Sequence, residues 1–121
     1  MKRIGTDKAG FAVEFDAEVG AVRVRGWGFW DTTIAEAFTK AVSDMCRANP
    51  KGTALQLDMV ALKPLREEGQ RSFADLLRYL RGLGVGRTTI STASQLTKLQ
   101  LLRLVAEHSA GHPVEFTPAA V

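Results

Sequence analysis

One hundred and twenty-one residues, 45% hydrophobic and 24% charged, have the composition of one ordinary globular domain and are too few for two independent cores. Sixteen Lys and Arg against 13 Asp and Glu leave a formal charge of +3, too slight to announce a nucleic-acid binder. No apolar run approaches the roughly 18 residues of a membrane span, residues 1–7 lack a signal-peptide core, and the single Cys46 excludes an internal disulfide or a multi-cysteine zinc site. These features predict one cytoplasmic domain over residues 1–121 with an ordered core at about 11–116.

The first elements are two short strands. Phe11, Val13 and Phe15 share one face of an alternating run, and Val22 and Val24 share one face of a second run in which Arg23 and Arg25 point to water. A Gly20-containing turn between the runs makes them a β-hairpin. The segment from Gly26 to Trp30 leads to Asp31, a good helix cap, and Thr33 with Glu36 has capping-box spacing. Ile34, Ala37, Phe38, Ala41, Val42 and Met45 then recur at helical spacing, so the first helix runs to about Arg47 and stops at Asn49 and Pro50.

Residues 53–59 are predicted as a central strand and 60–65 as a loop. A second helix over 67–83 presents Phe73, Leu76, Leu77, Leu80 and Leu83 to the core. A β-branched strand follows at 87–92. Ser94 caps a third helix over 95–108, and residues 112–116 form a last strand before a frayed tail at 117–121. The expectation is an α/β fold: a five-stranded mixed sheet with three helices, in the order β-β-α-β-α-β-α-β.

Catalytic patterns are thin. In Gly26-Trp27-Gly28 the third glycine of a dinucleotide turn is replaced by Asp31, whose carboxylate would face the pyrophosphate. Gly82, Gly84 and Gly86 follow a helix and lead into a strand, the wrong side for a phosphate cradle. His108 and His112 are four apart, but Gly111 and Pro113 break the helix that would align them on a metal. Cys46 lies far from a helix N-terminus and is expected as a small buried hydrophobe. Glu67 and Glu68 suit the first turn of a helix through its dipole. No enzyme, metal or cofactor is predicted.

The order of elements and one segment resemble the STAS domain, shared by anti-sigma factor antagonists and the cytoplasmic tails of sulphate transporters. In that family a strand ends in Asp-Leu, and a loop leads to Asp-Ser-Ser-Gly at the start of the second helix. Here Leu57-Asp58-Met59 is followed at similar spacing by Arg66-Glu67-Glu68-Gly69. The resemblance implies a bacterial signalling module that binds a regulatory protein. It aligns Glu68 with the family's phosphoacceptor serine, so this switch loop would carry fixed negative charge in place of a phosphorylatable hydroxyl. Lys63, Gln70, Arg71, Asp75 and Arg78 would join Arg66, Glu67, Glu68 and Gly69 in the partner surface.

Two further surfaces are expected. On a helical wheel Leu96, Leu99, Leu102 and Val105 form the core side of the third helix, which leaves Leu101, Leu104 and His108 for self-association, including a homodimer. Trp27, Phe29 and Trp30 cluster before the first helix, where aromatics plug the core or line an apolar pocket. By the likeness of STAS folds to lipid-binding modules, a small apolar ligand there is the alternative function. Residues 1–60 hold 8 basic and 8 acidic side chains and residues 61–121 hold 8 and 5, so the +3 belongs to the second half. Arg66, Arg71, Arg78 and Arg81 carry it beside the switch loop, a mixed surface better suited to a protein than to nucleic acid.

Overall fold

In the computed structural model, which describes residues 1–109 and 111–118, the chain forms β1 (Lys2–Gly5), β2 (Gly10–Asp16), β3 (Ala21–Gly28), α1 (Thr32–Arg47), β4 (Ala54–Leu62), α2 (Glu67–Tyr79), β5 (Thr88–Thr92), α3 (Gln95–His108) and β6 (Val114–Thr117). The strands lie side by side in chain order, β1-β2-β3-β4-β5-β6. The first three are antiparallel neighbours, and β3 through β6 are parallel, joined by helical crossovers.

The sheet thus has six strands and not five. The extra one, Lys-Arg-Ile-Gly, pairs Ile4 with Phe11 and leaves Lys2 and Arg3 on an exposed edge. Charges of this kind keep an edge strand from recruiting other chains. The frayed tail is also corrected at its start, because Thr117 belongs to β6 and bonds Ser91 through its hydroxyl at 2.9 Å. Residues 119–121 of that expected tail lie outside the described residues.

Helix caps follow residue chemistry. Asp31 accepts from the Ile34 N–H at 2.8 Å and Ser94 from the Thr97 N–H at 3.2 Å. Asp31 caps α1 itself, so Thr33 lies inside the helix and the expected capping box is not its start. β4 continues three residues beyond Met59, which shortens the following loop to residues 63–66. α2 ends at Tyr79, short of the expected residue 83; turns carry the chain on to Gly84, where φ of +78° lets it reverse, and Leu80 and Leu83 stay buried in them.

Sequential parallel strands with right-handed crossovers place all three helices on one face. Burial along the strands agrees. Phe11, Val13, Val22, Val24, Leu55, Leu57, Met59 and Ile90 are at most 2% exposed, and they alternate with Glu14, Arg23, Arg25 and Asp58, which face solvent. Phe38 of α1 is the centre of the covered side, stacked on Phe73 at 5.5 Å and edge-on to Phe11 at 5.8 Å. Among the described residues, no helix is long and apolar enough to cross a membrane.

Candidate functional site

The β4–α2 loop is pinned from both sides. Lys63 leaves β4 with its N–H on the Gly28 carbonyl, 3.1 Å away. Leu65 is buried, and its backbone would be stranded there without partners. Gln100 of α3 supplies them: its Oε1 accepts from the Leu65 N–H at 2.8 Å and its Nε2 donates to the Leu65 carbonyl at 3.0 Å. Gln70 Nε2 donates to the same carbonyl at 3.1 Å, and Gln70 Oε1 accepts from Arg103 of α3. One buried leucine therefore couples the loop, α2 and α3.

Beyond this anchor the start of α2 is exposed. Arg66 occupies the cap position and makes no side-chain capping bond. Glu67 and Glu68 provide the first-turn negative charge, with Arg71 Nη2 at 3.4 Å from Glu67 Oε1. Gly69 packs under Leu65, and a Cβ at that position would lie 3.0 Å from Leu65 Cδ2. Further along, Arg78 contacts Asp75 and reaches His108 Nδ1 at 3.0 Å. A guanidinium only donates, so Nδ1 is the acceptor in this contact, and Nε2 lies 3.6 Å from Glu107 Oε2. The expected switch-loop and partner residues are therefore distributed round α2: Glu67, Glu68 and Arg71 are exposed, Gly69 is buried under Leu65, Gln70 faces α3, Asp75 lines a concavity shared with α1, and Arg78 reaches α3 through His108.

The two sides of α3 are exchanged relative to expectation. Leu101 and Leu104 are 0% and 4% exposed and cannot meet a partner while the domain is folded, whereas Leu96, Leu99 and Leu102 are 56%, 53% and 39% exposed. Thr97 decides the rotation: it is fully buried, with its Oγ1 donating to the Leu62 carbonyl at 3.2 Å. A leucine-rich helix offers two apolar stripes to a wheel, and tertiary bonds such as those of Thr97 to Leu62 and Gln100 to Leu65 select between them. Sequence reasoning missed Gln100 as the loop anchor and Leu96, Leu99 and Leu102 as the outward stripe. The signal available was the i,i+3 spacing of those leucines beside Lys98 and Arg103.

The aromatic cluster is split. Trp30 sits in the core, 4.8 Å from the Phe38 ring centre, with its Nε1 donating to the Gly10 carbonyl at 2.9 Å. Trp27 lies on the opposite side of β3, its Nε1 donating to the Thr6 carbonyl at 2.8 Å, with the guanidinium carbons of Arg3 and Arg25 over its ring at 4.7 and 4.9 Å from the centroid. Gly28 makes room for the loop they hold, since a Cβ there would lie 1.9 Å from the Lys8 carbonyl oxygen. Phe29 is 59% exposed. Two concavities are described on the surface, and none of the three aromatics lines either.

Reactive groups are few. Cys46 is buried in α1, and burial pushes its thiol up to about 11. Among the described residues, no three His, Cys, Asp or Glu side chains gather where they could hold a metal ion.

No family model matches the chain, and no curated protein matches it significantly. Among solved structures it is similar to the crystal structure of an uncharacterized protein of the DUF3478 family with a SpoIIAA-like fold, from Shewanella loihica PV-4. That likeness has a TM-score of 0.67 at 13% identity and covers 94% of this chain and 90% of the other. The fold is SpoIIAA-like. This is the anti-sigma factor antagonist fold that STAS domains share. At such identity the likeness concerns architecture, and function rests on the site itself.

Proposed function

We propose that the chain is a non-enzymatic protein-interaction module, resembling an anti-sigma factor antagonist, that docks a regulatory protein or a second copy through the joined surface of α2 and α3. The observation that carries this reading is the outward stripe Leu96, Leu99 and Leu102 beside a loop held by Gln100 and Gln70. An apolar centre with a charged rim is the anatomy of a protein interface, and Arg66, Glu67, Glu68, Arg71, Lys98 and Arg103 supply the rim. Glu67 and Glu68 hold permanent charge where the family places a switchable phosphate, so binding here is constitutive. The pinned loop supports the same conclusion: it presents its surface without needing to fold on contact.

Sedimentation velocity and affinity capture with the purified domain test this reading. Leu99→Asp, at an exposed position, should leave stability within about 0.5 kcal/mol and abolish association, while Glu68→Ser should change its strength without unfolding the domain. Association that is equally strong in Leu99→Asp, or absent from the unaltered protein, would sink the proposal.

A further inference from the structure

The face of the sheet that no helix covers carries a transverse row with one residue from every strand. Successive register pairs join Arg3, Ala12, Arg25, Asp58, Ser91 and Thr117 from β1 to β6. All six line a concavity of about 680 Å³. That volume falls within the range of about 300–1,000 Å³ in which small-molecule sites occur. The short side chains of Ala12, Ser91 and Thr117 leave depth beside the longer ones of the row, and the right-handed twist of a sheet curves it.

The chemistry of this row differs from that of its neighbour. In the adjacent row Arg23 is spent within the protein, on Asp16 Oδ2 at 3.2 Å and Gln56 Oε1 at 3.2 Å. Arg25 forms no hydrogen bond or ion pair among the described residues, and its guanidinium carbon lies over the Trp27 ring, 4.9 Å from the centroid. The cation–π contact restrains the guanidinium and leaves its N–H donors without a protein acceptor among the described residues, which suits bidentate binding of a carboxylate or phosphate. Asp58, the register neighbour of Arg25, uses Oδ1 for the Val60 N–H at 3.2 Å, and its second oxygen remains as an acceptor. Beyond it the Ser91 and Thr117 hydroxyls, 2.9 Å apart, offer further donors and acceptors. Strands are spaced about 4.8 Å apart, so β3 and β5 are separated by about 10 Å, the length of a compact metabolite once the arginine has reached inward.

We infer that the open sheet face binds a small organic anion, with its carboxylate or phosphate on Arg25 and a hydroxyl or amino donor on Asp58. Ser91 and Thr117 close the far end. This site lies across the sheet from the α2–α3 surface and does not depend on the interaction proposed for it.

Amide chemical shifts of the full chain, followed during titration with inorganic phosphate, malate and succinate against chloride at matched ionic strength, test the inference. Malate should give saturable shifts centred on Arg25, Asp58, Ser91 and Thr117, and succinate, which lacks the hydroxyl, should bind more weakly. Phosphate should share the Arg25 shifts. Arg25→Gln should weaken malate by about tenfold or more, the loss expected for one charge-assisted pair. If that variant does not fold, the near-isosteric Thr117→Val serves in its place and should weaken malate by about threefold or more. Shifts no larger than those with chloride, shifts centred elsewhere, or unchanged affinity in the folded variant would overturn the inference. Leu99→Asp should bind malate as the unaltered protein does, which separates this outcome from the fate of the α2–α3 proposal.

Discussion

The two faces of the sheet are made by the same strands and obey opposite rules. On the covered face Phe11, Val22, Leu57 and Ile90 are sealed by α1, α2 and α3, and that burial is what stabilises the domain. On the open face Glu14, Arg23, Arg25 and Asp58 remain in water, where charge contributes little to stability and is free for recognition. Period-two alternation assigns the roles with one strand register, so a single slip would exchange them. A small domain can thus keep a rigid interior and a chemically varied exterior on one sheet.

Phe38→Ala gives the sharpest test of the covered face. It removes the ring that joins Phe11, Trp30 and Phe73 and should cost about 3–5 kcal/mol in urea unfolding. A loss below about 1 kcal/mol would mean that the aromatic cluster is not the centre of the core. The second test uses a proton. His112 is buried beside Thr88, with its Nε2 3.0 Å from the Thr88 hydroxyl, and desolvation followed by the Arg81 charge holds its pKa below the ordinary 6.5. The unfolded chain therefore binds this proton first, and stability should fall as pH drops below 6.5 toward the lower folded value. Urea midpoints at about pH 7.5 and pH 5.5 should diverge more for the unaltered protein than for His112→Gln, and equal pH dependence in the two would refute the assignment. The smallest effect belongs to the open face. Thr89→Ala should shift unfolding by no more than about 0.5 kcal/mol, and a larger cost would show that this face also supports the fold.

The helices were legible because they combine strong caps with long apolar spacing. Asp31, Ser94 and the Phe73–Leu77 stretch announced them, and the α3 bounds coincide with the sequence reading. β1 was not legible. Four residues with one apolar side chain carry no alternation, and pairing with β2 supplies what local sequence lacks. The loop residues 66–69 were placed correctly at the head of α2, yet the rotation of α3 was inverted. A buried threonine looks like a surface residue until its carbonyl partner, Leu62, is known. The open-face row was invisible for a similar reason. Arg25, Asp58, Ser91 and Thr117 are dispersed through the chain, and only strand register aligns them.

The spatial order of the strands repeats their order in the chain from β1 to β6. During synthesis each strand therefore emerges next to the edge that has just been completed, and no gap has to be kept open for one still to be made. From β3 onward each addition closes over one helical crossover, so every new strand needs a single loop closure onto an existing edge. By the time residue 92 has left the ribosome five strands and two helices are available to pair and pack, and α3 then completes the cover of the interior with Leu101 and Leu104. The assembly route is written into the layout of the sheet.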